Sequence, residues 1–185
     1  MGTFDAAKLR ELVLYIARRC ESRPRFSPTA LNKLLFSSDF RAYRELGRPI
    51  TSCRYLAERS GPVLMSDARQ IVQEEMVSAG EIAVSHTGGD VRFIALRDAN
   101  LMRFSADEIA VVERVIKVYT AGDRESDCAN PPPEVLAWLA GRAEHLATGR
   151  AVAIPYGAAF LTSPVLDEFE QAHALDLARK HRWPV

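Results

Sequence analysis

Apolar residues along this chain recur mostly at the three- and four-residue spacing of helices, broken by one stretch of two-residue alternation. Leu9, Leu12, Val13, Ile16, Ala17 and Cys20 form one stripe behind Thr3, whose side chain can accept from free helix amides. A first helix is therefore expected over about 4–20, with Arg18 and Arg19 at the end the helix dipole favours for cations. Ser27-Pro28 starts a second helix, since serine caps amides and proline at the first position gives up no bond, and Gly47 with Pro49 stops it. In this helix, about 28–46, the apolar residues Leu31, Leu34, Leu35, Phe36, Phe40, Tyr43 and Leu46 spread over more than one face. That spread predicts a central helix packed on several sides, with Leu34, Leu35 and Phe40 buried.

Residues 50–64 read as extended, with a turn at Gly61-Pro62, before a helix of about 66–79 opened by Ser66 and Asp67 and closed by Gly80. The alternating stretches 81–85 and 91–96 flank His86-Thr87-Gly88-Gly89-Asp90 and predict a β-hairpin. Ser105-Ala106-Asp107-Glu108 is a capping box heading a helix to about 121. A polar, breaker-rich loop over 122–132 leads to a helix of about 133–147 ending near Gly149. A last helix runs from Ser163-Pro164 to about 182, acidic early (Asp167, Glu168, Glu170) and basic late (Arg179, Lys180, Arg182). The expected fold class is α+β, mainly α: about six helices and one small antiparallel sheet built on the 81–96 hairpin, with 53–58 as a strand that could join it. The order helix, helix, helix, hairpin over 4–97 makes the N-terminal part winged-helix-like.

At 185 residues with 48% hydrophobic content, 1–185 is expected to be a single domain with a buried core. Lys plus Arg and Asp plus Glu both total 24, so no global field draws the chain to nucleic acid or an anionic membrane. Residues 1–60 nevertheless carry 12 basic and 6 acidic side chains (+6), leaving 12 basic and 18 acidic (−6) for the rest, which suggests ends suited to oppositely charged partners. Cys20, Cys53 and Cys128 have neither CxxC nor CxxH spacing, which argues against a disulfide framework and a zinc site and for a reducing, cytoplasmic setting. No leader pattern opens the chain, no apolar run approaches the roughly 20 residues of a membrane span, and Ala6 stands where a myristoylation motif wants Ser or Thr.

Catalytic signals are missing. His173 falls on the stripe Leu166, Phe169, His173, Leu177 and is expected at the core edge; His86 is at the hairpin tip, and His145 and His181 are near helix C-termini. Glu74 and Glu75 point about 100 degrees apart on a helix and read as solvated surface. There is no P-loop, no G-x-G-x-x-G and no nucleophile elbow. No enzymatic activity, metal or cofactor is expected. A DNA-binding alternative places 66–79 as recognition helix and the hairpin as wing, with Arg69, Arg92 and Arg97 as contacts and the protein's own operon as target. Asp67, Glu74 and Glu75 on that helix weigh against it.

The segment Leu31-Asn32-Lys33-Leu34-Leu35-Phe36-Ser37-Ser38-Asp39-Phe40, then Gly47-Arg48-Pro49-Ile50-Thr51, then Ser60-Gly61-Pro62-Val63, resembles the signature of the SocA-like antitoxin, or Panacea, family: a "KLLYFADF" helix, a "GRPIT" turn and a "YGPV" bend. Trp138, Ala143, Gly149 and Ile154-Pro155-Tyr156 are similar to its C-terminal "W…A…G…IPY" pattern, so the resemblance spans about 8–161 and leaves 164–185 as a helix outside the family core. Ser60 replaces the usual tyrosine before Gly-Pro. The resemblance implies an antitoxin of a two-gene, prophage-associated system that neutralises a cognate toxin from a neighbouring gene by protein–protein contact. It masks that toxin or hands it to a protease, so a protease or chaperone is a further partner to consider. Expected partner contacts are Tyr55, Arg59, Gly61, Pro62, His86, Asp90 and Tyr156, although apolar, Gly and Pro signature residues also have purely structural uses.

Overall fold

The computed structural model describes residues 3–23, 26–87, 90–121 and 133–161, with positions 173, 176 and 180 as isolated helical residues. The expected helix over 164–182, the loop over 122–132 and the Gly88-Gly89 turn lie outside the described residues, as do Cys128 and His181. His173 is exposed, not at the core edge as its place on an apolar stripe suggested.

Helix α1 (Ala6–Arg19) is capped by Asp5, whose Oδ1 accepts from Lys8 N at 2.8 Å. Thr3 was expected in that role. Asp5 N donates to Thr51 O at 3.0 Å, and this tertiary bond sets the point where the chain turns into the helix. Helix α2 (Pro28–Leu46) has the caps its sequence announces: Ser27 Oγ accepts from Ala30 N at 3.2 Å, and Gly47 closes it at φ 73°. From Lys33 to Phe40 every residue of α2 is buried, polar ones included, as a helix enclosed on all sides requires. It packs against α1, against strand and turn elements on either side, and against the two later helices.

Strand β1 (Tyr55–Glu58) runs antiparallel to β2 (Gly61–Leu64) on one edge and to β5 (Val152–Ile154) on the other, with Tyr55 opposite both Leu64 and Ile154. The hairpin β3 (Ile82–Thr87) and β4 (Asp90–Ala95) forms a separate two-stranded sheet, with Thr87 opposite Asp90. One sheet was expected and two are present. Gly61, at φ 147°, reverses the chain so that 61–64 folds back on 55–58, and the distant segment 152–154 takes the edge that the 81–96 hairpin was expected to occupy. Between the sheets runs the helix expected over 66–79: α3 (Ser66–Gln70), a π-helical stretch Ile71–Glu75, and α4 (Met76–Ser78), with Gly80 at φ 67° after it. In chain order the β1–β2 pair stands between α2 and α3.

Helix α5 (Ala106–Ala121) opens on the capping box: Glu108 N donates to Ser105 Oγ at 3.2 Å and Ser105 N to Glu108 Oε2 at 2.9 Å. Helix α6 (Pro133–Thr148) ends before Gly149, at φ 66°. Five helices of more than one turn are thus present among the described residues, the 66–78 run taken as one, in an α+β fold that is mainly α. The core joins Leu9, Leu12 and Ile16 of α1, Leu31, Leu34, Leu35, Phe36 and Phe40 of α2, Val112 of α5 and Trp138 of α6. Phe40, Leu34 and Leu35 are buried as the spread of apolar positions implied.

Helix α6 approaches the three-stranded sheet closely because Gly141 faces it: a Cβ there would stand 2.9 Å from Ala57 Cβ and 3.5 Å from Ile154 Cγ1. Gly141→Val should therefore cost about 1–3 kcal/mol by forcing helix and sheet apart. Gly157→Ala, where a Cβ meets nothing within 4 Å, should leave stability unchanged or slightly raised. Thermal melts of both variants check this, and equal melting temperatures would refute the close packing.

Candidate partner-binding site

At the centre of the fold is a carboxylate with no access to solvent. Asp39, on the fully buried run of α2, accepts through Oδ1 from Thr51 N at 2.7 Å, and through Oδ2 from Thr51 Oγ1 at 2.5 Å and Tyr55 OH at 2.7 Å. Cys53 N donates to Thr51 Oγ1 at 3.2 Å, and Tyr156 OH to Cys53 O at 2.6 Å. Around these groups lie aromatic rings: Phe40 is 4.1 Å from Phe36 and 4.9 Å from Tyr156, centroid to centroid, and Phe36 meets Tyr55 edge-on at 5.2 Å. Burial pushes the Asp39 carboxyl above its ordinary range, against the opposing pull of the Thr51 and Tyr55 hydrogen bonds. Burial, and then the neighbouring Asp39, pushes the Tyr55, Tyr156 and Cys53 groups up as well. Enclosed on every side, this cluster holds α2, the 47–54 segment, β1 and the turn after β5 in one arrangement.

The resemblance signature therefore supplies structure. Lys33, Asp39, Thr51, Gly61, Pro62 and Tyr156 are all buried, and a Cβ at Gly61 would meet Lys33 Cε at 3.0 Å. Of the residues expected to touch a partner, Tyr55 is 1% exposed and Tyr156 8%, while Gly61 and Pro62 are buried as well. In this structure these four residues are enclosed and serve the scaffold. Arg59 and His86 are exposed, but on different sheets: Arg59 follows β1, where its carbonyl accepts from Arg142 Nε at 3.3 Å, and His86 lies on β3. Asp90 opens β4.

The arginines of the DNA-binding alternative are engaged within the chain. Arg97 Nη1 and Nη2 each donate to a Glu11 oxygen at 2.9 Å, and Nη2 reaches Glu81 at 2.6 Å. Arg92 Nη2 donates to Glu21 O at 2.6 Å, and Arg69 Nε to Leu64 O at 3.3 Å. Glu75, read as free surface, pairs with Arg10 at 2.5 Å, and Arg10 also holds Glu81 at 2.8 Å. The +6/−6 division meets a similar end. Lys8, Arg10, Arg18, Arg19, Arg41, Arg48 and Arg54 all pair with carboxylates beyond residue 60, so the sequence asymmetry is spent largely in joining the two halves.

What sequence reasoning missed is the connection between β4 and α5. It carries Leu96, Leu101 and Met102 exposed to solvent, and a signal was available: two adjacent apolar residues between the capping residues Asn100 and Ser105. Leu146, Phe160 and Leu161 are exposed on the side of α6 and the turn after β5. Among the described residues, no three His, Cys, Asp or Glu side chains converge to hold a metal ion, and no helix is long and apolar enough to cross a membrane.

The chain belongs to the family described as Antitoxin SocA-like, Panacea domain, whose profile matches residues 31–125, just over half its length. No curated protein and no solved structure matches it significantly.

Removing Tyr55 OH should leave Asp39 one donor short in a site that water does not reach, so Tyr55→Phe is expected to lose about 1–2 kcal/mol in denaturant unfolding. The pairs act with pH in the opposite sense to Asp39. Arg97's hydrogen bonds hold Glu11 below its ordinary value of 4.5, so that contribution is present above about pH 4.5 and lost as the pH falls. Stability should decline on acidification below this point, and Arg97→Gln should flatten the decline in a series of melts against pH; an unchanged slope would contradict the pairing.

Proposed function

We propose that this protein is the antitoxin of a toxin–antitoxin pair and neutralises a cognate toxin, encoded by a neighbouring gene, through direct protein–protein contact in the cytoplasm. The family match over residues 31–125 carries this reading. The geometry supports it in two ways. The residues that make the match, such as Asp39, Thr51 and Gly61, build a closed scaffold instead of an accessible pocket, which suits a protein acting through its outer surface. Exposed side chains such as Arg59, on the turn after β1, and His86, at the end of β3, can vary without disturbing that scaffold. Because the N-terminal cations are largely paired internally, recognition depends on local contact more than on long-range steering.

Neutralisation has two forms under this reading, masking of the toxin surface and delivery of the toxin to a protease. Expression of the neighbouring gene alone should arrest growth, and co-expression with this protein should restore it, with the two proteins co-purifying. Toxin abundance then separates the forms: it holds steady under masking and falls under delivery. A neighbouring product without toxicity, or rescue without physical association, would overturn the reading.

A further inference from the structure

We infer that the turn Leu101–Arg103 is a preformed anchor for the partner protein, with Met102 as the side chain that enters an apolar pocket edged by carboxylate; this rests on the antitoxin reading above. Met102 is 93% exposed, and Leu101 beside it and Leu96 earlier in the connection are exposed too, so three of the large apolar side chains left exposed among the described residues fall in this one short stretch. The backbone that carries Met102 is braced at each step. Asn100 Oδ1 accepts from Met102 N at 3.1 Å, and Asn100 N donates to Glu11 Oε2 at 2.7 Å. Glu11 is itself buried on α1 and held by both terminal nitrogens of Arg97, which also binds Glu81 and donates to Asp98 O at 3.1 Å. On the far side, Phe104 N donates to Leu101 O at 3.1 Å, the Phe104 ring packs against the core beneath Lys8, and the Ser105–Glu108 box begins α5.

A connection that needed only to link β4 to α5 would gain nothing from an apolar tip held this firmly. A partner gains from both features. Methionine is enriched at interfaces and adapts its shape to an irregular pocket, and a turn already ordered loses little entropy on binding. The charges around the tip select the kind of pocket. Glu11 and Glu81 are occupied by Arg97, Glu108 by Lys8 and Arg48, and Asp98 by Arg18. Asp107, exposed in the first turn of α5, sits where the helix dipole favours a carboxylate. Arg103, exposed next to Met102, adds to the field that favours ionised Glu11 but makes no ion pair among the described residues. It is the charge at the tip left to meet a carboxylate on the partner. Such an anchor is the centre of a wider contact, since a stable interface buries on the order of 800 Å² per partner.

The complex of this protein with the co-expressed product of the neighbouring gene tests the inference directly. Hydrogen peroxide converts exposed methionine to the sulfoxide, and mass spectrometry reads the rate residue by residue, with the fully buried Met76 as internal control. In the free protein Met102 should oxidise fast; in the complex its rate should fall by about tenfold or more. Met102→Glu and Arg103→Glu should each weaken binding by about tenfold or more, Met102→Leu should retain it, and all should melt within about 2 °C of the wild type. A complex that forms but leaves Met102 oxidising at the free rate, or that tolerates Met102→Glu, overturns the anchor and leaves the antitoxin reading standing. The oxidation rate in the unsubstituted protein decides even where a variant folds poorly. If no complex forms, the antitoxin reading fails and the anchor falls with it.

Discussion

The fold depends on satisfying one buried carboxylate. Asp39 lies in the middle of a helix that is enclosed on all sides, where an ionised or unbonded carboxyl is strongly disfavoured. Three donors from two residues, Thr51 and Tyr55, offset that penalty, and they can reach Asp39 only if the chain after α2 doubles back along it. The same requirement fixes the start of β1, since Tyr55 is its first residue, and through Tyr156 and Cys53 it fixes the turn after β5. Residues separated by more than a hundred positions thus share one polar centre wrapped in aromatic rings. Such a centre specifies a single arrangement more sharply than an apolar core of equal volume, because every alternative packing leaves a donor or the carboxylate unmatched.

Around this centre the exposed and half-exposed ion pairs act as a second layer of selection. Each is worth little alone in water. They are linked, however: Arg10 bridges Glu75 and Glu81, and Arg97 bridges Glu81 and Glu11, so α1, the π-helical stretch and the β3–β4 hairpin are tied through shared charges. The hairpin by itself would be marginal as a two-stranded unit. Packing of Phe93 and Ala95 into the core, with β4 against α1, together with these shared charges, gives it a defined place.

An inaccessible polar centre and a largely internal charge pattern fit the proposal that a partner is met at the periphery. The signature residues support the scaffold, and the connection between β4 and α5 carries the exposed Leu96, Leu101 and Met102. Under the proposed reading, an outer surface can change while the helix, turn and bend that resemble the family signature keep the same buried contacts.

The local elements were legible in the sequence. Ser27-Pro28 with Gly47 marked α2 to the residue, Ser105 with Glu108 marked the start of α5, and Gly80 and Gly149 marked helix ends, because caps and breakers act over three or four residues. The multi-sided apolar content of α2 also predicted its central position correctly. What the sequence could not disclose depended on long-range pairing. That 152–154 and not the 81–96 hairpin completes the sheet with β1, that Asp5 and not Thr3 caps α1, and that Tyr55 and Tyr156 turn inward follow from contacts between segments far apart in the chain. The charge division was visible in the sequence, but its use was not: a count of charges along a chain does not say which face one another. Only the tertiary structure placed the N-terminal cations against the later carboxylates and left Met102 outside, because burial is a property of the packed whole and not of any residue's own neighbours in sequence.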